Sequence, residues 1–301
     1  MKPSVGVVLL NYMSYDLTIK CIGMLKEQIY DNLKIIVVDN ESKNDSVAVL
    51  QEYCKKENIF FYQSCINGGY AKGNNIGIKE ALKLEVEYIL IMNNDVIFPR
   101  TSWLEELVGY LEKRPAIGLL GPGIYTNGNR DPILMVSKPK WKQEVFVNFF
   151  RIPLWLIGKK RRSIHVADEK KNVVDNVVEK EVYAVSGCCM MFTSKCIQKI
   201  GGFDEGTFLY NEELIVGEKC LKNKIPIVYN SRFHVLHEHG ATIKQYIQIK
   251  QQYKLEEISR MYYYKKFRED VSGWKYWILN ISAKFNRMVN VPLIFYFDKK
   301  G

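Results

Sequence analysis

The N-terminal third of the chain alternates between short apolar segments and segments with helical periodicity. The apolar segments lie at residues 4–10, 33–38, 59–62 and 87–92. After the first of them, apolar residues recur at helical spacing, at Leu17, Cys21, Leu25 and Ile29. Strands that are apolar without alternation are typical of parallel sheets covered on both faces. The pattern therefore predicts an α/β fold with a Rossmann-like, doubly wound, mostly parallel sheet.

Polar residues follow these predicted strands directly. They are Asn11, Asp39, Asn67 and the run Asn93-Asn94-Asp95. Because the carboxyl ends of parallel strands meet at one edge of a sheet, we expect these side chains to converge on a ligand site. Asp39 suits a nucleotide, since a carboxylate can accept from a base N–H or a ribose hydroxyl. The neighbouring Gly68-Gly69 would let the backbone approach a ligand closely, although neither a GxGxxG fingerprint nor a P-loop is present.

Asp95 is a candidate metal ligand. A carboxylate beyond a buried strand can bind a hard divalent cation, which in turn binds phosphate oxygens. The spacing of His234, His237 and His239 does not suit one helical face, and one of them together with Asp95 and a diphosphate would be enough for Mn²⁺ or Mg²⁺. The alternative, that Asn-Asn-Asp is only a polar turn before Pro99, stays open.

Glu212 and Glu213 are candidate catalytic residues at the predicted start of a helix that runs to about Asn223. One of them could serve as a general base aimed at the site by the start of the helix. Adjacent helical residues point about 100° apart, so only one of the two can face a given ligand. Simple capping of the helix dipole by the two carboxylates is the alternative.

The regular alternation breaks after Gly123 and returns near residue 181. An apolar run at residues 183–192 predicts a further strand, and residues 226–229 predict a last one. Residues 124–180, rich in proline, aromatic and basic residues, are interpreted as an insertion. The tail from residue 244 combines aromatic and basic residues with helical spacing and is predicted to be a helical extension.

Two segments supply all the excess positive charge. The net charge is +10, yet residues 138–162 and 244–301 each contribute +7, so the remainder of the chain is mildly acidic at −4. An anionic membrane face could bind these segments. The aromatic residues of the tail lie at Tyr262, Tyr263, Tyr264, Phe267, Trp274, Tyr276, Trp277 and Phe285. Solvated basic loops and ordinary helical core are the alternatives; nucleic acid is not expected as a partner, because no motif for it is present.

The cysteine pattern indicates reduced thiols. The seven Cys residues are scattered without a CxxC pair, which is typical of a cytosolic protein. No stretch approaches the ~20 apolar residues that span a bilayer, and no signal peptide opens the chain. We therefore expect a cytoplasmic protein, peripheral on the inner face of the cell membrane where the basic segments bind lipid.

A series of short segments, in this order, resembles the inverting glycosyltransferases of family 2, which have the GT-A fold, and among them bacterial rhamnosyltransferase-like members. The segments are VVLLNY (7–12), IVVDNES (36–42), NGGYAKGNN (67–75), LIMNND (90–95), VSGCCM (185–190), GGFD (201–204), YNEE (210–213) and HEHGAT (237–242). No single segment is decisive, but the ordered set is specific and covers about residues 3–242.

The resemblance implies roles for the residues at the nucleotide. Asp39 would contact the base of a UDP- or dTDP-sugar, with Asn11 and Glu41 nearby. Asn67 and Gly69, with Lys72 in the same segment, would line the pocket for the nucleotide and the sugar.

The resemblance also implies a metal site and a base. Asn93-Asn94-Asp95 stands in the place of the family's DXD motif, with Asp95 as the metal ligand and His237 completing the site around Mn²⁺ or Mg²⁺. Glu213, preceded by Glu212, stands in the place of the catalytic base. The chain departs from the pattern at Asn93, which replaces the first Asp, at Glu213, which replaces an Asp, and at Ile215, where a further Asp is often found.

The implied activity is transfer of rhamnose or another hexose from a dTDP- or UDP-sugar to a saccharide or polyprenyl-lipid-linked acceptor in bacterial cell-surface polysaccharide synthesis. On this basis residues 1–243 are predicted to form a GT-A catalytic domain, and residues 244–301 the C-terminal helical extension. Within the catalytic domain, residues 1–123 would be the nucleotide-binding half and residues 181–243 the acceptor and metal half, with the insertion at 124–180 between them.

Two other function classes stay open. A sugar nucleotidyltransferase would need a Gly-rich, Arg-containing loop after the first strand, and Asn11-Tyr12-Met13-Ser14 is not one. A non-catalytic membrane- or polymer-binding module would bind anionic vesicles without hydrolysing any nucleotide sugar.

Overall fold

The computed structural model describes residues 2–126, 129–130, 135–156, 178–237 and 249–293. The strands are β1 (Val5–Asn11), β2 (Leu33–Asp39), β3 (Phe60–Gln63), β4 (Tyr88–Asn93), β5 (Val96–Ile97), β6 (Leu119–Thr126), β7 (Asn129–Arg130), β8 (Glu179–Glu181), β9 (Cys189–Thr193) and β10 (Ile227–His237). The α-helices are α1 (Tyr15–Lys26), α2 (Ser46–Lys56), α3 (Gly69–Lys83), α4 (Trp103–Glu112), α5 (Trp141–Leu156), α6 (Ser194–Ile200), α7 (Glu212–Lys222), α8 (Ile249–Phe267) and α9 (Trp274–Phe285). A 3-10 turn at Glu269–Val271 precedes α9, and a π-helical turn at Asn286–Asn290 follows it.

These strands form one mixed sheet with the main order β3-β2-β1-β4-β9-β6-β10-β5. Strands β1 to β4 pair in parallel, as do β6 and β10. Strand β9 lies between β4 and β6 and runs antiparallel to both. Strands β1 to β4, β6 and β10 therefore point in one direction, and their carboxyl ends share one edge of the sheet. The predicted doubly wound, mostly parallel α/β sheet is confirmed.

The sheet has a hydrophobic core on each face. Val7 and Leu9 of β1 point into one core, and the intervening Val8 points into the other, as the two-residue period of a strand requires. Helices α1, α2 and α4 cover the first face, where Trp103 is fully buried. Helices α3, α6 and α7 cover the second face.

The strand predicted at residues 183–192 is half the expected length. Only its second part, β9, pairs within the sheet. The backbone N–H groups of Tyr183 and Ala184 donate to Met135 O at 2.9 and 3.2 Å instead. The first part is apolar because Tyr183 and Ala184 pack in a third buried cluster with the C-terminal helices, so its composition reflects helix packing as well as the sheet.

The C-terminal extension is helical, as predicted, and part of it is core. Tyr263, Tyr264 and Phe267 of α8 pack with Leu214 and Ile215 of α7 in this third cluster. For these aromatic residues the helical-core alternative is therefore confirmed. The boundary proposed at residues 243 and 244 lies outside the described residues, and the division into domains stays a prediction.

The cysteines form no disulfide bonds, and the described helices include no membrane span. All seven cysteines are free thiols, and Cys65 alone among them is exposed. None of the described helices combines the length and the apolar character that crossing a membrane demands.

Candidate functional site

Asn11 and Asp39 lie side by side at the carboxyl ends of β1 and β2. The parallel register pairs the two residues, and both are fully buried. Asn11 Nδ2 donates to Asp39 Oδ2 at 2.7 Å. The hydroxyl of Ser42 donates to the same oxygen at 2.7 Å, and the backbone N–H of Ser42 donates to Asp39 Oδ1 at 2.8 Å. Asp39 therefore fixes the turn at residues 40–42, and Oδ1 keeps a lone pair for a further donor.

A buried chain of polar contacts connects this pair to the end of β4. Asn94 Nδ2 donates to Thr18 Oγ1 at 2.9 Å and to Ser14 Oγ at 3.2 Å. Thr18 in turn donates to Asn11 Oδ1 at 2.8 Å. Asn94 is thus brought to the same edge as Asn11, through a threonine and a serine that the sequence interpretation missed. The signal that could have revealed Thr18 is a polar residue one turn into α1, next to the apolar stripe of that helix.

Glu41, Asn67 and Gly69 form a second polar group at this edge. Glu41 Oε2 accepts from the backbone N–H of Asn67 at 2.9 Å. Asn67 Oδ1 accepts from Asn40 Nδ2 at 3.0 Å and from Gly69 N at 3.1 Å. Lys72 lies on the first turn of α3, partly exposed, with its alkyl chain over Gly68. The structure therefore brings these predicted nucleotide-sugar residues together.

The start of α3 touches the loop that precedes Glu212. Tyr70 N donates to Phe208 O at 2.9 Å. Gly69 adopts a φ of +80°, and a Cβ at this position would lie 2.0 Å from Phe208 O. This glycine is therefore required by both its backbone conformation and the close approach of another segment.

Asp95 and His237 are brought together by β5. Val96, directly after Asp95, pairs with His237 at the end of β10. Asp95 Oδ1 lies 3.1 Å from His237 Nε2, and both side chains are largely buried. Apart from this contact, Asp95 Oδ1 has no hydrogen-bond partner among the described residues. A buried carboxylate oxygen next to an imidazole nitrogen fits one side of a divalent-cation site.

The remaining predicted metal-site residues have other environments. The His234 ring packs edge-on against Tyr125, with ring centroids 5.6 Å apart, and His239 lies outside the described residues. Within the described ranges no group of three or more possible ligands occurs. Asn93, partly exposed, is anchored by its backbone N–H to Cys188 O at 2.9 Å. Among the described residues, the candidate ligands that meet here are therefore Asp95 and His237.

Glu212 and Glu213 begin α7 after two residues in the left-handed region. Tyr210 and Asn211 have φ values of 74° and 68°, a conformation that costs energy for residues other than glycine. Helix α8 packs against this turn and is hydrogen-bonded to it. Ser259 Oγ donates to Leu209 O at 2.8 Å, and Asn211 Nδ2 donates to the backbone oxygen of Glu256 at 3.2 Å. The C-terminal extension therefore fixes where α7 starts.

Burial changes the acid–base properties of both carboxyl groups. It raises the pKa of Glu212 from 4.5 to about 8, and repulsion by Glu213 adds to the effect. It also raises the pKa of Glu213, while the charge of nearby Arg260 acts in the opposite direction. Glu212 is buried, whereas Glu213 is partly exposed. A partly exposed carboxylate with a raised pKa is a stronger base than an ordinary glutamate, which fits Glu213 to the role predicted for it.

Comparison with known proteins gives one family and several relatives. Residues 4–197 match the family described as glycosyl transferase family 2. A hexosyltransferase of low-salt glycan biosynthesis, Agl10 of Haloferax volcanii, is 26% identical over 215 residues, which cover 71% of this chain. The matched region spans 60% of the length of that relative.

Solved structures with the same fold come from distant enzymes. The mannosyltransferase PcManGT from Pyrobaculum calidifontis, in complex with GDP-Man and Mn²⁺, superimposes with a TM-score of 0.58 at 15% identity, covering 95% of this chain and 70% of that one. GalNAc-T7 with UDP, GalNAc and Mn²⁺ has a TM-score of 0.57 at 14% identity, covering 78% of this chain and 44% of that one. These likenesses confirm the fold that the resemblance implied.

Replacing Gly69 with alanine tests the close approach at the start of α3. We expect Gly69→Ala to lower the free energy of unfolding by about 1–3 kcal/mol, because it combines a positive φ with a clash against Phe208 O. Denaturant titration would measure the change.

Gly109→Ala is the matched control. Gly109 lies within α4, where a Cβ would meet nothing within 4 Å, so alanine should leave stability unchanged or raise it by up to about 1 kcal/mol. Equal effects of the two substitutions would contradict the requirement for glycine at position 69.

Replacing Glu212 with glutamine tests its raised pKa. The folded protein holds the Glu212 proton more tightly than the unfolded chain, so the wild type loses stability as the pH rises from about 4.5 to about 8. Glu212→Gln removes the cost of the buried charge. We expect the variant to be more stable than the wild type at pH 9 by an amount on the order of 3 kcal/mol, and the difference to vanish toward pH 5.

Urea titrations across this pH range would give the two stability profiles. Glu52→Gln, on the exposed surface of α2, controls for the loss of one negative charge. Parallel profiles for the wild type and Glu212→Gln would refute the raised pKa.

Proposed function

The chain belongs to glycosyl transferase family 2, and we propose that it transfers a hexosyl group from a dTDP- or UDP-sugar to an acceptor hydroxyl, with inversion at the anomeric carbon. The observation that carries the proposal is the contact between Tyr70 N and Phe208 O. It joins the start of α3, beside Asn67 and Gly69, to the loop that leads into Glu212 and Glu213. A donor site and a candidate base therefore face each other across one backbone hydrogen bond.

The donor site in this proposal comprises the polar residues at the edge of the sheet. Asp39 and Asn11 hold the turn at residues 40–42, and Glu41 orients Asn67. The nucleotide base and the ribose of the donor would lie against these groups, as in the family that the sequence resembles. The full set proposed for the nucleotide and the sugar is Asn11, Asp39, Glu41, Asn67, Gly69, Lys72, Asn93 and Asn94.

Asp95 and His237 would hold a divalent cation, Mn²⁺ or Mg²⁺. The buried Asp95 Oδ1, 3.1 Å from His237 Nε2, provides the protein side of such a site. When bound, the cation would neutralise charge on the diphosphate leaving group. With Asn93 in place of a second carboxylate, the protein contributes less negative charge to the site than a two-aspartate motif does.

Glu213 would act as the general base. Its carboxylate takes the proton of the acceptor hydroxyl while the hydroxyl oxygen forms a bond to the anomeric carbon. The bond from that carbon to the diphosphate oxygen breaks on the opposite face, so the configuration inverts and the nucleoside diphosphate leaves. Glu212, buried beside it with a pKa of about 8, would keep its proton at neutral pH and leave the role of base to its neighbour.

The acceptor is proposed to be a saccharide, free or linked to a polyprenyl lipid, in the assembly of a bacterial surface polysaccharide. The support is the resemblance in sequence and the glycan-building role in the name of the Haloferax relative. A hexose is proposed as the transferred sugar on the same grounds, with rhamnose one member of that class.

Replacing Glu213 with glutamine tests the role of base. Glutamine cannot accept the proton, so we expect transfer to fall by about 100-fold or more. Affinity for UDP or dTDP should stay within about twofold, because the residue lies on the acceptor side. Glu52→Gln on α2 is the control for charge. Transfer at the wild-type rate by Glu213→Gln would eliminate this residue as the base.

Replacing Asp95 with alanine tests the metal site. Calorimetric titration with UDP or dTDP in the presence of Mn²⁺ should show at least a tenfold loss of affinity in Asp95→Ala and a smaller loss in His237→Ala. With EDTA in place of the metal, the variants and the wild type should bind alike. A variant that retains the full gain in affinity from Mn²⁺ would contradict the assignment of its residue.

A further inference from the structure

We propose that α9 and α5 together form a docking surface for an anionic lipid bilayer. We call this surface the aromatic face. It consists of Trp274, Trp277, Ile281, Phe285 and Met288 of α9 and the turn after it, together with Phe146 and Phe150 of α5. The inference rests on the exposure of these residues and is independent of the proposed enzymatic activity.

The outer side of α9 is apolar along its whole length. The residues of α9 that belong to the aromatic face follow one another at intervals of three or four residues. They continue into the π-helical turn and therefore form a single stripe. Trp274 and Trp277 are each 64% exposed, and Met288 is 73% exposed. The opposite side of the helix is buried against the protein through Leu279, Ser282, Ala283, Asn286 and Asn290. A helix that is buried on one side and apolar on its solvent side has an unpaired apolar surface.

Helix α5 extends this surface. Phe146 and Phe150 are about half exposed, and their rings lie 4.8 Å apart between centroids. Phe149 of α5 packs on Phe285 at 5.3 Å, and Trp141 packs edge-on against Trp274 at 5.8 Å. These ring contacts hold the two helices side by side, so that exposed aromatic residues of both helices lie near the contact.

Basic residues border the aromatic face, and the exposed acids just before α9, Glu269 and Asp270, are paired with Lys222 and Arg268 at 2.8 Å each. Lys142 on α5 and Lys284 on α9 are exposed, and Lys275, next to Trp274 in sequence, is partly exposed and donates to Asp270 O at 2.9 Å. In residues 138–156 and 272–293 the single acidic residue is Glu144, which is buried and paired with Arg260 at 3.2 Å. Tryptophan and lysine on one helix surface match the boundary of an anionic membrane, where the rings enter the headgroup layer and the cations meet phosphates.

A second copy of the chain fits this surface less well. A twofold interface would place the same patch of each copy against the other. The lysines of both copies would then meet, while the nearby acids Glu269 and Asp270 are already paired within their own chain. A lipid surface instead supplies the negative charge that the patch lacks. The charge distribution therefore favours lipid as the occupant.

Vesicle flotation with the full chain tests the proposal. We expect the protein to float with phosphatidylglycerol vesicles at low salt, and to partition at least tenfold less onto pure phosphatidylcholine. The double variant Trp274→Ser and Trp277→Ser should lose at least tenfold in partition onto the anionic vesicles. Lys275→Gln with Lys284→Gln should weaken binding several-fold and reduce its dependence on salt.

Leu221→Ser and Ile29→Ser are matched controls, because these side chains are 55% and 57% exposed on other surfaces and should leave flotation unchanged. Thermal unfolding would confirm that every variant folds. Failure of the wild type to bind anionic vesicles, or undiminished binding by the tryptophan variant, would overturn the proposal. Light scattering that shows a dimer abolished by the tryptophan substitutions, with no vesicle binding, would instead assign the face to a second copy.

Discussion

The backbone hydrogen bond between Tyr70 and Phe208 sets the distance between the two halves of the candidate site. It can form only because Gly69 has no Cβ and adopts a positive φ. Since main-chain atoms make the contact, the spacing does not depend on the rotamer of any side chain. The polar chain from Asn94 to Asp39 and the turn before Glu212 are each attached to one side of this contact. Its geometry therefore determines how a donor held at the sheet edge would face the candidate base, Glu213.

The sheet and its polar edge could be predicted from the sequence because both follow from local patterns. Apolar runs of strand length separated by helical periods define a parallel sheet, and a parallel sheet places Asn11, Asp39 and Asn93 at one edge. The approach of Asp95 to His237 depends instead on β5, which is only two residues long. No periodicity can reveal a strand of that length, and the pairing that brings the two side chains together joins residues separated by nearly half of the chain.

The helical tail shows a different limit of sequence interpretation. Aromatic and basic residues occur throughout it, and composition does not separate the buried Tyr263 and Tyr264 from the exposed Trp274 and Trp277. The difference arises from which side of each helix meets α7 or α5, which is a tertiary property. The same tail fixes the turn before Glu212 through Ser259 and Glu256. A segment that the sequence suggested was peripheral is thus in contact with the centre of the candidate site.

The raised pKa of Glu212 affects the charge that a nucleotide-sugar donor would meet in the proposed reaction. With a pKa of about 8, this carboxyl group is mostly neutral at pH 7, so the pair it forms with Glu213 carries fewer than two negative charges. A nucleotide sugar is itself an anion, and the electrostatic work of bringing it to the site grows with the negative charge already there. In the proposed reaction, the neutral Glu212 would therefore lower the repulsion that an incoming diphosphate meets beside these two adjacent acids.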